Sequence, residues 1–432
     1  MKTTLRSDSL QVTRLFSNLE LYENQFTHQP GSVLGSTALV AGTTIGAGIL
    51  ALPAVTLPSG IIPSTILLIG IWLYTLVSGL LIAEATLNTM HRLGRPSVGL
   101  LAVVENTLGP VGARITGGAY LFFHYGLLVA YVAQGGDILA SAVSKAAGVQ
   151  NVLPAWIGTI SFTLIFGSIM YLGRERFIEK LNSAFVAIVL TSFLGLLVFG
   201  TTQLKPGSFL FQDWRALSPA VSVMFVALFY HNIIPTVVSQ LEGDVRKIRQ
   251  TLTIGSVIPL VMFLSWNAVI LGSVGPDLIQ GTIDRSLDPL QILRSGGTGE
   301  WLGVLVSIFS EFAIATSFIG FVYGLLDFFK DISAVTLNEP SKRLSIYSLI
   351  LLPPMSLSLL NPNIFLTALD YTGTFSISVL GGIIPALVSW KQRQEQEHSR
   401  SLSQPLVPGG KVTLIVMIGL ALAVLLVGSL RV

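Results

Sequence analysis

Two short segments of this 432-residue chain combine residue types that could bind a small polar ligand within an apolar region. The first reads GTTIGAGILALP at residues 42–53, and the second reads FYHNIIP at residues 229–235. Glycine weakens a helix and proline lacks a backbone N–H, so both segments predict interrupted helices. The freed backbone groups need polar partners, which the carboxylate and ammonium of a zwitterion could supply. The residues at these predicted interruptions are Gly42, Thr43, Thr44, Ile45, Gly46, Ala47 and Gly48 in the first segment, and Phe229, Tyr230 and His231 in the second.

Ionisable side chains inside apolar stretches are a second set of candidates, because a charge in hydrocarbon is costly and is usually retained for function. Glu84 is the first choice among the acids, since it follows the first segment in the next apolar stretch. A neutral Glu84 that hydrogen-bonds to freed backbone is an equally good explanation. His231 could contact the ligand or carry a proton, or it could be satisfied by local carbonyl groups.

The composition defines the environment in which these residues work. Only 11% of the residues are charged and 51% are hydrophobic, whereas a soluble domain carries roughly 25% charged residues. The net charge of +3 is too small for a nucleic-acid groove, and the absence of Cys excludes disulfides and thiolate metal sites. The HExxH pattern of zinc proteases is absent as well, so we expect no enzyme, catalytic residue, metal or cofactor. The composition therefore predicts a polytopic membrane protein in a lipid bilayer, without a nucleic-acid partner.

Apolar stretches long enough to cross roughly 30 Å of hydrocarbon recur along the chain after a polar tail at residues 1–32. Nineteen of the 25 Lys and Arg residues fall in alternate connections, which predicts a cytosolic N-terminus and an outside C-terminus. Residues 391–411 form a cytosolic loop in this scheme. The eleven predicted spans are 33–57, 61–88, 114–142, 153–171, 181–200, 216–240, 251–274, 301–329, 344–361, 363–390 and 412–430, the last lying in a segment 412–432.

The two interrupted segments fall in the first and sixth spans, five spans apart. This spacing predicts a ten-helix core at residues 33–390, with inverted repeats at about 33–200 and 216–390, and an appended eleventh helix. The spacing of Gly42 and Gly46 is also GxxxG, which on its own would favour simple close helix crossing. The paired interruption favours a binding site instead.

Long ordered segments of the chain resemble the tryptophan/tyrosine permeases, the hydroxy and aromatic amino acid permease family of the amino acid–polyamine–organocation superfamily. They include GSVLGSTALVAGTTIGAGILALP (31–53), GLLIAEATL (79–87), HYGLLVAYVAQGGDIL (124–139), FYHNIIPTVVSQLEGDVRKIRQTLTIGSVIP (229–259), ATSFIGFVYGLLDFFKD (315–331) and GGIIPALVSW (381–390). The resemblance implies an all-α, LeuT-like 5+5 inverted-repeat fold in the cytoplasmic (inner) membrane. It also implies secondary active uptake of an amino acid, aromatic in this family, by ion-coupled symport.

The resemblance also assigns roles to individual residues. It implies that the backbone of 42–48 and carbonyls around Phe229 hold the α-carboxylate and α-ammonium of the substrate. It implies a side-chain pocket walled by aromatic residues and a histidine: Tyr125, Tyr131, Phe225, Phe229 and His231. Tyr230 departs from the family pattern, where a small residue is common at this position, so it bears on pocket volume and substrate identity.

The coupling ion is left open by the resemblance. Glu84 matches the family acid and fits H⁺ coupling, whereas the hydroxyls of Thr316 and Ser317 fit an oxygen cage for Na⁺ or simple helix–helix hydrogen bonding. Asp288 and Pro289 predict a short outer helix, which is either a plain surface helix or a lid. A channel, an exchanger or an amino acid sensor on the same fold would keep the broken helices without a coupling ion.

Overall fold

The structure, a computed structural model, describes residues 15–17, 19–22, 25–28, 31–148, 153–273, 300–333, 340–399 and 405–430. The predicted lid at Asp288 and Pro289 lies outside the described residues. The described chain begins with an antiparallel hairpin of β1 (Leu19–Tyr22) and β2 (Gln25–His28), in which Leu19 pairs with His28. All other regular secondary structure in the described chain is helical.

The α-helices of the described chain follow each other from the hairpin to the last described residues. They are α1 (Val33–Thr44), α2 (Ala47–Thr56), α3 (Ile61–Leu93), α4 (Leu100–Ala146), α5 (Ala155–Leu172), α6 (Glu175–Thr201), α7 (Ser218–Ala227), α8 (Ile234–Gln240), α9 (Val245–Ser273), α10 (Glu300–Ser333), α11 (Pro340–Leu360), α12 (Ile364–Tyr371), α13 (Ile384–Ser399) and α14 (Gly410–Ser429). Short 3₁₀ turns cover Pro206–Phe209, Trp214–Leu217 and His231–Ile233, and π-helix covers Thr372–Ile377 and Val379–Ile383.

The prediction of an all-helical polytopic membrane protein is confirmed. Ten helices in the described chain are long and apolar enough to cross a membrane, or eleven when the bent pair Val33–Thr44 and Gly48–Thr56 counts as one span. The outward faces of these helices carry large exposed apolar side chains, such as Leu194, Val198 and Leu426, as contact with lipid requires. The inverted relation between two five-helix halves stays a prediction.

α4 and α13 extend furthest beyond their predicted spans. α4 begins before the predicted span and bends at Gly109, whose φ of +81° is accessible to glycine at little cost, and Pro110 follows it. α13 runs to Ser399, so the prediction that 391–411 is a loop was wrong for its first nine residues. The helix continues because its polar side chains find partners: the Gln392 amide donates to Thr89 and Thr107, and Arg393 pairs with Glu84.

Hydrogen bonds show that the connections between helices lie on two sides of the bundle. On one side, the Leu15 N–H donates to the Glu242 carbonyl (2.8 Å) and the Ser239 hydroxyl donates to the Pro96 carbonyl (2.9 Å). This side also carries Leu406 and is called the tail side. On the other, the far side, the Asp213 N–H donates to the Ser59 carbonyl (3.0 Å), and the Lys205 N–H donates to the Gly272 carbonyl (2.8 Å). The alternation agrees with the predicted order of crossings, and the direction of the bundle in the membrane stays a prediction.

The last helix, α14, packs on the π-helical part of the tenth span. Gly382 has no room for a side chain beside Ala421, and Gly428 has none beside Thr374. The Tyr74 hydroxyl of α3 donates to the Met417 carbonyl of α14 (3.0 Å). The eleventh span is therefore in close contact with the second and tenth spans.

Candidate functional site

The predicted break in the first span is confirmed. α1 ends at Thr44, Gly46 is extended (φ −146°, ψ −150°), and α2 begins at Ala47, so the two segments meet at an angle of 49°. The Thr43 and Thr44 hydroxyls donate to carbonyls within α1, at 2.8 and 2.7 Å. The break therefore offers its backbone rather than its threonine side chains to a ligand.

The predicted break in the sixth span is also confirmed. α7 ends at Ala227, a 3₁₀ turn covers His231–Ile233, and α8 begins at Ile234, with Pro235 in its first turn. Pro235 suits this position because the N–H that it lacks would have no acceptor within the helix. Phe229 and Tyr230 lie between the two helical segments.

The two breaks lie next to each other, and α10 joins them. A Cβ on Gly48 would overlap the Cβ of Ala227, so α2 and the end of α7 are in backbone contact. A Cβ on Gly46 would stand 3.0 Å from the Ser317 hydroxyl oxygen and 3.5 Å from the Tyr131 hydroxyl oxygen. The structure thus brings together three predicted residues, Gly46, Tyr131 and Ser317, with Gly48 two residues further on against Ala227. The Thr316 and Ser317 hydroxyls both donate to the Ala313 carbonyl, at 3.0 and 2.9 Å.

A buried aromatic cluster adjoins this meeting point. Phe229 stacks on His231 and meets Phe123 edge-on, each at 4.7 Å between ring centroids. Phe321 lies 5.4 Å from Phe123 and 5.5 Å from Tyr131. The cluster therefore connects the second break to Tyr131. Phe123 and Phe321 were not predicted, although Phe321 follows Ser317 by four residues and so shares its helix face.

Three predicted pocket residues point elsewhere. The Tyr125 hydroxyl donates to the Leu349 carbonyl of α11 (2.9 Å), and Phe225 packs edge-on against Tyr74 of α3 at 5.3 Å. Tyr230 packs against α3, where a Cβ on Gly79 would lie 3.0 Å from its hydroxyl oxygen. The Tyr125 ring is thus directed away from the Phe229 cluster, whereas the Tyr230 ring reaches the edge of the cluster at His231, with 5.2 Å between the ring centroids.

His231 has unused hydrogen-bonding capacity. Its side chain is fully buried, and neither ring nitrogen has a hydrogen-bond partner within the described chain. The second buried histidine, His124, differs because its Nδ1 lies 2.9 Å from the Tyr120 carbonyl oxygen. Buried polar atoms are rarely left unpaired, so His231 is the stronger candidate for contact with a ligand.

Glu84 has protein partners for both of its carboxylate oxygens. Arg393 of α13 donates from Nε to Oε1 (2.7 Å) and from Nη2 to Oε2 (2.9 Å), and the Leu406 N–H also donates to Oε2 (2.8 Å). The sequence left open that Glu84 hydrogen-bonds to backbone freed by the first break, but these bonds go to Arg393 and Leu406 instead. Arg393 was missed because it was assigned to a loop.

Around Gly42 the first half of the broken span is open. One face of α1, which includes Gly35, Ala38 and Gly42, is exposed, and a Cβ on Gly42 would meet no atom within 4 Å. On the tail side, between α1 and Gln240 at the end of α8, lies a cavity of about 490 Å³. Its lining residues are Gly31, Ser32, Gly35, Ser36, Leu39 and Gln240.

A helical membrane protein in which two broken spans meet beside a buried cluster has the architecture of the solute permeases. The chain matches the tryptophan/tyrosine permease family over residues 29–427, and it belongs to that family. It is therefore a multi-pass integral membrane protein of a transport family and not an enzyme.

Individual relatives match over most of their length. The chain is 28% identical to the Tyrosine-specific transport system 1 of Haemophilus influenzae, over 90% of this chain and 95% of that protein. It is 29% identical to the Tryptophan-specific transport protein of the same organism, over 84% of this chain and 88% of that protein. It is also 26% identical to the Glutamine transporter 2 of Aliivibrio fischeri, over 88% and 95% of the two chains.

Proposed function

We propose that this protein is an ion-coupled symporter of an aromatic amino acid, tyrosine or tryptophan, which works by alternating access around the broken first and sixth spans. The observation that carries the proposal is the meeting of the two breaks, where Gly46 lies against Ser317 and Tyr131 and Gly48 lies against Ala227. Irregular backbone at this depth is stable only where it is buried in protein or lines a cavity with polar content.

The first break offers a site for the α-carboxylate. α2 begins at Ala47 without a side-chain cap, and the first N–H groups of a helix have no acceptor within it. The partial positive charge at this helix end favours an anion. Gly46 and Gly48 let α10 and α7 come close to this helix end, and carbonyls around Phe229 can accept from the α-ammonium.

The aromatic cluster supports an aromatic substrate. Phe229, Phe123, Phe321 and Tyr131 offer ring faces and edges within reach of the breaks, and such rings favour another aromatic ring by offset or edge-on contact. Relatives named for tyrosine and tryptophan support the same substrate class, while a relative named for glutamine makes glutamine the necessary comparison.

The open face of α1 supports alternating access. Small residues on a membrane helix suit close approach by another group better than contact with lipid. This face carries Gly35, Ala38 and Gly42 and adjoins the cavity of about 490 Å³. We assign the tail side to the cytosol from the bias of basic residues. The described conformation is then open toward the cytosol, in the inner membrane, with a cytosolic N-terminus and an outside C-terminus. A LeuT-like 5+5 inverted repeat would provide the second, outward-open arrangement.

Ser317 and Thr316 are the proposed coupling residues. Their hydroxyl oxygens and the carbonyls of the first break are hard oxygen ligands of the kind that Na⁺ requires, whereas H⁺ coupling would need a titratable side chain such as His231. Glu84, also predicted for coupling, already has Arg393 as its counter-ion. It therefore needs no transported cation to balance its charge in this conformation.

Uptake into proteoliposomes tests the proposal. The purified chain is supplied with labelled tyrosine, tryptophan and glutamine, under a proton gradient alone and under a sodium gradient alone. We expect one gradient to drive accumulation of tyrosine or tryptophan well above equilibrium, and glutamine to compete weakly. Flux that does not depend on either gradient would refute symport and indicate a channel or exchanger. Binding without flux would indicate a sensor.

A further inference from the structure

A four-residue strap, Pro405–Pro408, crosses the tail side of the bundle before α14 begins. The strap has no regular secondary structure, yet Leu406 and Val407 are only 4% and 2% exposed. Irregular backbone at the edge of the hydrocarbon must find hydrogen-bond partners within the protein. The partners of the strap therefore show what holds it in place.

Charged side chains from three helices hold the strap. Glu84 of α3 accepts from the Leu406 N–H (2.8 Å), Arg249 of α9 donates to the Leu406 carbonyl (3.1 Å), and Arg393 of α13 donates to the Val407 carbonyl (3.2 Å). Arg393 and Glu84 are bound to each other at two points. One connected set of bonds thus joins the second, seventh and tenth spans to the strap.

The Glu84–Arg393 pair is too well buried to be a surface ion pair. The Glu84 side chain is 7% exposed and that of Arg393 is 16% exposed. Burying two charges is costly, and pairing repays the cost only when the geometry is good and the remaining hydrogen-bonding capacity is used. Here the strap backbone uses that capacity. The geometry of the pair therefore depends on the strap backbone as well as on the contact between the two side chains.

We propose that Glu84, Arg393 and Arg249 form a clasp that fastens the strap, and with it α14, to α3 and α9. Arg393 is a positioning residue, and Glu84 is the anion of the clasp and does not carry the transported proton. The clasp explains why an acid and an arginine are retained this deep in the bundle. Only the transport readout of this inference rests on the proposed function.

Labelling of introduced cysteines tests the clasp without any transport measurement. The chain has no Cys, so Val407→Cys is a unique buried thiol and Pro408→Cys is its exposed neighbour. In the full-length protein in detergent, a water-soluble maleimide should label Val407→Cys at least about tenfold more slowly than Pro408→Cys, because a docked segment reacts only when it opens locally. Adding Glu84→Gln or Arg393→Gln should remove most of this difference. Equal labelling of the two cysteines in the unmodified clasp would overturn the proposal.

A double-variant comparison separates a clasp from a proton carrier. Each single variant, Glu84→Gln or Arg393→Gln, leaves a buried group without its partner, whereas the double variant leaves two neutral amides. We expect gradient-driven accumulation and substrate exchange to fall by the same factor in each single variant, and both to recover in the double variant. Loss of accumulation with intact exchange in Glu84→Gln and in the double variant, while Val407→Cys stays protected, would identify Glu84 as the proton carrier.

Arg249→Gln covers the case in which the single clasp variants fail to fold. It removes one bond to the Leu406 carbonyl and leaves the Glu84–Arg393 pair intact. We expect an intermediate rise in Val407→Cys labelling, with no change at Pro408→Cys. Labelling identical to that of the parent would refute the part of Arg249 in the clasp.

Discussion

Ser317 of α10 lies directly against Gly46 in the break of the first span. A Cβ on Gly46 would stand 3.0 Å from the Ser317 hydroxyl oxygen, closer than neighbouring side chains normally tolerate. The absence of a side chain at Gly46 therefore sets how near the backbone of the break comes to this hydroxyl, and this spacing is the basis of the proposed ion site.

Gly46→Ala should reduce transport. The added methyl group must push Ser317 or the break aside, and such overpacking costs about 1 to 3 kcal/mol. We expect the kcat/KM of uptake to fall by a factor of about 5 to 100, the range that corresponds to such a cost. The control is Gly320→Ala, three residues after Ser317 on α10, where a Cβ meets no atom within 4 Å. Equal activity of the two variants would contradict the proposed contact.

Ser317→Ala should weaken ion dependence specifically. The Ser317 hydroxyl and the Ser307 hydroxyl each donate to a carbonyl one turn earlier on α10, both at 2.9 Å. Only Ser317 lies beside the first break. We expect Ser317→Ala to raise the half-saturating concentration of the coupling ion in uptake assays and Ser307→Ala to leave it unchanged. A similar shift in both variants would indicate a general effect on the helix.

His231→Phe should impair substrate binding while preserving the fold. The phenyl ring keeps the stack on Phe229 but removes both ring nitrogens, which have no partner within the described residues. A lost hydrogen bond to substrate costs about 1 to 3 kcal/mol, which would raise KM by a factor of about 5 to 100. His124→Phe is the control, since that histidine contacts the Tyr120 carbonyl. Unchanged KM in His231→Phe would place the histidine outside the binding site.

Phe229→Leu and Tyr230→Ala should have different effects although the residues are adjacent. Phe229 belongs to the aromatic cluster, so its loss should change the ratio of tyrosine to tryptophan uptake. Tyr230 packs on Gly79, and truncation of a buried aromatic side chain costs about 3 to 5 kcal/mol. We therefore expect Tyr230→Ala to lower the melting temperature in detergent without changing substrate preference. A change of preference in Tyr230→Ala would restore the predicted role of Tyr230 in the pocket.

The positions of both breaks could be predicted because glycine and proline act locally. Gly42, Gly46 and Gly48 weaken one helix, and Pro235 interrupts another, whatever the rest of the chain does. The directions of Phe229 and Tyr230 could not be predicted in the same way. Both lie between helical segments, where helical periodicity no longer tells which residues share a face.

Local sequence patterns could not predict the partner of Glu84. Arg393 is 309 residues away in the chain, and its charge placed it in a predicted loop. From sequence alone, a long polar helix end is predicted to be exposed to solvent, because the side chains that hydrogen-bond to it are not known. In this protein those side chains come from α3 and α4, and only the packed bundle brings them together.

The close fit of α14 means that ten spans of this chain are not a complete folding unit. Without α14, the Tyr74 hydroxyl would lose its acceptor at Met417, and the backbone at Gly382 would lose its contact with Ala421. Gly382 is matched to Ala421, and Thr374 is matched to Gly428. A shortened chain could therefore assemble only if these surfaces were redesigned, and the last span should be treated as part of the smallest stable unit.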